Sequence, residues 1–175
     1  MRSIVRGLTV SIVPAVALMA LTPANSDTSR ASAAPQAQLP STTLPVTPNG
    51  MIVAPAETLV RFRPLIASSP NGPNILELEG DSRRGPSVTL FRYTNGYTGS
   101  RTLHTHSHTY RSILIEGQMK HWDASGNEAT APVLDPGSYW RQPRGQLHAD
   151  HCLSHRCVAL VTFEGAIDAD FPGPH

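Results

Sequence analysis

The sequence predicts an all-β fold, a single barrel of short strands. Three observations carry that reading. Runs rich in Val, Ile, Leu, Phe, Tyr and Thr recur at intervals of about 8 to 15 residues between clusters of Gly, Pro, Asn and Asp, the spacing expected of barrels and sandwiches. Helical periodicity of 3.6 is hard to find over the same stretch. No segment repeats at a fixed period, so one barrel used once is the simplest arrangement.

In chain order the candidate strands are Leu59 to Arg63, Ile75 to Glu79, Val88 to Tyr93, Arg101 to His106, Tyr110 to Glu116, Gln118 to Trp122, Ser138 to Gln142, Leu147 to His151 and Val158 to Phe163. Turn residues punctuate them. Asn71-Gly72-Pro73 precedes the second strand and Gly80-Asp81 ends it, and Asn95-Gly96 follows the third. Ser125-Gly126-Asn127 and Asp135-Pro136-Gly137 bracket the long connection before Ser138.

The chain ahead of the barrel reads differently. Arg2 and Arg6 precede an uncharged stretch from Gly7 to Ser26 with an apolar centre near Leu8 to Leu21, followed by small residues, which is the layout of a cleaved signal peptide over residues 1–33. Two cleavage sites compete, after Ala24-Asn25-Ser26 and after Ala31-Ser32-Ala33. No cysteine lies nearby to carry a lipid anchor, so the expectation is an exported protein, periplasmic or extracellular, with no membrane partner after cleavage. Residues 34–50 are Pro, Ser, Thr, Gln and Ala without a charge and read as a disordered tether. The folded domain is then 51–175, with about 120 residues from Met51 to Phe171 available for one core. The 14 Lys+Arg against 13 Asp+Glu leave a net charge of +1 and no basic block, which removes the electrostatic case for nucleic acid.

Histidines carry the chemistry. His104, Thr105, His106, Ser107 and His108 fall at the end of a predicted strand, where residues i and i+2 share a face. At ~3.3 Å per residue the Cα atoms of His104 and His106 are about 7 Å apart, so both imidazoles can converge on one ion. A third histidine, His148, follows a turn built on Pro143 and Gly145.

These two segments resemble the paired motifs of the cupin superfamily. Gly99, His104, His106, Tyr110 and Gly117 occupy the places of the first motif, with the first gap one residue short and Tyr110 where glutamate is usual. Gly137, Pro143, Gly145, His148 and Cys152 fit the second, with Cys152 replacing asparagine. The closer resemblance is to exported single-domain cupins sharing His-Thr-His-x-x-x-Tyr-Arg and Gly-Ser-Tyr-Trp-x-Gln-Pro, and it spans about Leu76 to Gly165. It implies a jelly-roll-like cupin barrel and a divalent metal held by His104, His106 and His148. Imidazole ligands suit Zn, Cu, Fe and Ni, so the set leaves the ion open among Fe, Zn, Mn, Ni and Cu. Sheet-edge pairing in the superfamily implies a homodimer.

Tyr110 is the candidate catalytic group, with a hydrogen bond beside the metal favoured over coordination because a phenol ordinarily titrates near pH 10. Arg111, Gln142 and His108 are candidates for contact with a small-molecule substrate. His121, His151, His155 and His175 are read as surface or pocket-edge residues, and Trp122, Trp140, Phe91 and Ile113 as barrel packing. Cys152 and Cys157 are the only cysteines, with four residues between them in a predicted hairpin loop, and export favours a disulfide between them. The function expected is a metal-dependent, oxygenase-like enzyme acting on a small organic molecule. The alternatives are a small-ligand binding or sensing module without turnover, and a metal-free storage barrel.

Overall fold

In the computed structural model, residue 44 and residues 46–173 are described, apart from 68, 70, 71, 95 and 96. The expected signal peptide, most of the expected tether, the expected Asn95-Gly96 turn and His175 lie outside the described residues. Where the tether is described, it closes a turn: Gly50 N donates to Thr47 O at 2.9 Å and Val46 bridges Ile52.

Eight antiparallel strands follow among the described residues: β1 (Arg63–Pro64), β2 (Asn74–Gly80), β3 (Ser87–Thr94), β4 (Tyr110–Glu116), β5 (Met119–Asp123), β6 (Tyr139–Gln142), β7 (His148–Cys152) and β8 (Arg156–Phe163). Six form one sheet in the order β1-β2-β3-β8-β4-β6, and β5 pairs with β7 in a second. The expected all-β, jelly-roll-like class is what the chain adopts.

Strict alternation builds the core. On β4, Tyr110, Ser112 and Leu114 are buried while Arg111, Ile113 and Ile115 are exposed. On β8, Cys157, Ala159, Val161 and Phe163 all point inward and meet Ile75, Phe91, Tyr93 and Leu114. Burial of a residue this size contributes roughly 1.5–3 kcal/mol. Ile113, expected in the packing, therefore stands on the outer face opposite Tyr139, its cross-strand partner on β6.

Two predicted strands are corrected. Leu59 to Arg63 is not a strand: a 3-10 turn at Ala56–Thr58 precedes it and only Arg63 enters the two-residue β1, which sits at the sheet edge where Pro64, lacking an N–H, is tolerated. Arg101 to His106 is a 3-10 turn at Gly99–Arg101 followed by two isolated bridges, His104 to His148 and Thr105 to Asp170. The segment is paired only at those two residues, one bridge to the strand carrying the third histidine and the other to the C-terminal segment.

Gly117 turns β4 into β5 at φ +83°, and a Cβ there would lie 2.3 Å from the Arg156 carbonyl oxygen and 2.9 Å from Cys157 Sγ. Both the backbone conformation and the close approach demand glycine. The Cys152–Cys157 disulfide is present as expected, with Cα atoms 5.9 Å apart, and ties β7 in the small sheet to β8 in the large one.

Candidate metal centre

His104 and His148 are held side by side by reciprocal backbone bonds, His104 N to His148 O at 2.9 Å and His148 N to His104 O at 3.0 Å. Gly145, at φ +70°, donates its N–H to the His106 carbonyl at 2.9 Å, so the Pro143–Gly145 turn is fastened to the segment bearing the first two histidines. One ring nitrogen from each of His104, His106 and His148 lies within 4.8 Å of the others, and the ring centroids are 4.3 to 5.1 Å apart.

The other ring nitrogens fix the tautomers. His104 Nδ1 donates to Thr102 O at 2.9 Å and His148 Nδ1 to Gln146 O at 3.1 Å, while His106 Nδ1 donates to Asp168 O. A carbonyl accepts only from N–H, so in all three rings the proton is on Nδ1 and Nε2 carries the lone pair. Such partners orient metal-binding imidazoles and raise their basicity. Burial lowers all three pKa values, His106 to about 4 and His148 to about 2, so the rings are neutral near pH 7, the state a ligand needs. The three residues fit a divalent ion and could hold one.

Tyr110 faces the same point, its hydroxyl 3.3 Å from His148 Nε2. The buried phenol is pushed above its ordinary pKa, chiefly by desolvation and further by the charge of Asp150, so it stays protonated and is placed to donate. Its ring stacks on Phe163 at 4.8 Å.

The three other pocket candidates lie elsewhere. Arg111 follows Tyr110 on β4, so alternation turns it outward, where its Nη1 pairs with Glu164 Oε1 at 2.6 Å. His108 is exposed, and its ring sits so close to Gly165 that a Cβ there would come within 2.5 Å of it. Gln142 is buried but structural: its Nε2 donates to Gln146 O at 3.0 Å and Pro143 O at 3.3 Å, leaving Oε1 to accept from His121 Nε2 at 3.1 Å.

Other residues of the site carried no motif. His121 sits on β5 with its ring 5.2 Å from that of His148 and its Nδ1 buried without a partner. Asp150 is two residues after His148 on the inward face of β7 and is 5% exposed. Desolvation raises its carboxyl to about 7, against a hydrogen bond from Ser100. The C-terminal segment crosses the site: beside the Asp168 carbonyl on His106, Phe171 stacks on His104 at 5.1 Å. A cavity of about 50 Å³ opens from the histidines and Tyr110 towards Asp150, walled by Phe91, Tyr93, Tyr97 and Trp140. Drug-sized sites run to roughly 300–1,000 Å³, so this one suits a compact ligand.

A jelly-roll-like barrel with three histidines gathered from two separate segments gives the chain a cupin-type fold. Its family is the domain of unknown function DUF4437, whose model matches residues 68–164, more than half the chain, and the protein belongs to that family. No curated protein matches significantly. Among solved structures it is similar to an RmlC-like cupin protein from Ralstonia eutropha, at TM-score 0.50 and 14% identity over 73% of this chain and 80% of that one. An RmlC-like cupin from Shewanella frigidimarina gives a TM-score of 0.48 and 17% identity over 66% and 91%. The DMSP lyase DddQ from Ruegeria pomeroyi gives 0.47 and 16% over 70% and 57%. At such identities the likeness shows the fold alone.

Proposed function

We propose that the protein is an exported metal-dependent enzyme acting on a compact organic molecule, its divalent ion held by Nε2 of His104, His106 and His148. One observation carries the reading: all three Nδ1 atoms are committed to backbone carbonyls, so three neutral imidazoles present Nε2 lone pairs at one site. A packing role would not require three matched tautomers. A divalent ion with open positions supplies Lewis acidity or oxygen chemistry at such a site. The imidazole set leaves the ion open, and oxygenase-like chemistry is the first class to assay because the resemblance to cupin enzymes implies it.

This chain's own residues would do the rest. Tyr110 holds its proton and offers it to a bound ligand beside His148. Phe163 packs against the ring of His106 and Phe171 against that of His104. Export is supported by the cross-hairpin disulfide, which persists in oxidising compartments.

The test is elemental analysis of the periplasm-matured protein beside a His104→Ala/His148→Ala double variant, followed by oxygen uptake with diketones, phenols and thiols. About one ion per chain in the native protein and none in the variant, with turnover on the loaded form, is the expected result. Ligand-induced melting shifts without product would replace the enzyme by a binding module. No ion after reloading would overturn the metal reading itself.

A further inference from the structure

The cavity lined by Tyr110, His104 and His106 carries a second polar feature. Asp150 is nine-tenths buried and lines the cavity, and its Oδ1 has no hydrogen-bond partner. Ser100, itself buried, supplies the carboxyl's hydrogen bond. Among the described residues no arginine, lysine or histidine forms an ion pair with it. Its cross-strand neighbour on β5 is His121, but that ring is turned to Gln142 and Trp140. Buried acids are normally paired, because an unpaired charge or acceptor costs several kcal/mol. Among the described residues no cation partners it, and the residue lines a cavity.

Aromatic rings surround that opening. Phe91, Tyr93 and Tyr97 line it, with ring centroids 6.3 Å apart for Phe91 and Tyr93 and 6.1 Å for Tyr93 and Tyr97. The charge of Asp150 reaches both tyrosines, holding their phenols above the ordinary range after the larger effect of burial. A carboxylate set among aromatic faces attracts a cation twice, through the charge and through the rings. On β7 the Cα atoms of His148 and Asp150 are about 7 Å apart. The ligand that fills this space is therefore only a few bonds long.

We infer that Asp150 is a binding residue for the ammonium group of a small organic amine, whose other end lies towards His104, His106 and His148. The inference rests on reading this cavity as the ligand site, and it names the substrate class. The neutral form of the same molecule lacks the countercharge that the pocket is missing. Asp168, the other acid lining the cavity, is already occupied, its Oδ1 accepting Ser107 N–H at 2.9 Å.

The experiment is calorimetric titration of propylammonium and of 1-propanol into the full periplasm-matured protein, metal-stripped and metal-loaded, with Asp150→Asn, Asp150→Leu and Asp168→Asn alongside. The expected result is at least a tenfold preference for propylammonium in the native and Asp168→Asn proteins, falling below threefold in both Asp150 variants. Asp150→Leu removes an unpaired buried acid and should melt no lower than the native chain, which separates lost binding from lost folding. Equal affinity for the two probes, or a preference that survives in either Asp150 variant or disappears in Asp168→Asn, overturns the inference. The stripped protein gives this answer whether or not the histidines hold an ion, so failure here and failure of the metal reading are separate outcomes.

Discussion

Strands β7 and β8 are consecutive, joined by a three-residue loop and by the Cys152–Cys157 disulfide, yet they put opposite chemistry into one interior. β8 lies between β3 and β4 and turns Cys157, Ala159, Val161 and Phe163 inward, every one apolar or disulfide-bonded. β7 lies in the two-stranded sheet and buries His148 and Asp150 at 0% and 5% exposure. Burying a histidine and an acid costs desolvation that no hydrophobic gain offsets. The comparison separates the work: β8 stabilises the barrel, and β7 holds polar groups whose value is realised only with a ligand or ion.

Paired truncations make the sharpest attempt to break that division. Phe163→Ala empties a site that is 1% exposed and packed on Phe91 and Tyr110, and should cost about 3–5 kcal/mol in urea unfolding. His148→Ala should abolish ion binding while lowering the stability of the metal-stripped protein much less. If the histidine variant unfolds as readily as the phenylalanine one, β7 is as much a packing strand as β8 and the division fails.

The same contrast governs what the sequence made legible. The bounds of β4 were readable from the run Tyr110 to Glu116, but not its faces, since Ile113 to Ile115 is continuously apolar; the three histidines were readable because two motifs occur in order at fixed spacing. Asp150 carried a usable signal, since period two from His148 places it inward, but an acid is surface by default and only the closed barrel removes its water. His121 lies on β5, and its approach to His148 depends on the β5–β7 register, which no local pattern encodes. Arg111 illustrates the converse: adjacency to a motif residue suggested a pocket role, whereas one step along a strand reverses the face. The C-terminal segment bearing Asp168 and Phe171 reaches the site across about 60 residues of sequence, beyond any spacing rule.

A second prediction turns on pH. His104, His106, His121 and His148 have folded pKa values lowered by burial, so their contribution is present above the unfolded value near 6.5 and is lost as pH falls towards about 4. Asp150, raised to about 7, acts the other way: its contribution is complete below about 4 and is lost as pH rises through 7. The histidines outnumber it. Even one net proton of difference gives about 1.4 kcal/mol per pH unit, hence about 2 kcal/mol lost from the metal-stripped protein between pH 6.5 and 5. Urea unfolding in EDTA at pH 7.5, 6.5 and 5 measures it. A flat profile would mean that these rings are not held neutral, which removes the basis for treating β7 as the costly strand.

The smallest effect tests the joint between the two strands. The Cys152–Cys157 bridge closes a loop of only six residues, for which loop-closure entropy gives about 2 kcal/mol. Cys157 is fully buried beside Gly117, whereas Cys152 is half-buried at the end of β7. A Cys152→Ala/Cys157→Ala variant should therefore lose about 2 kcal/mol in urea unfolding. Ion content should be unchanged, because His148 is held by its backbone bonds to His104 and not by the bridge. Loss of the ion together with the disulfide would show that β8 positions β7 through the covalent link, making the two strands one functional unit instead of two with separate tasks.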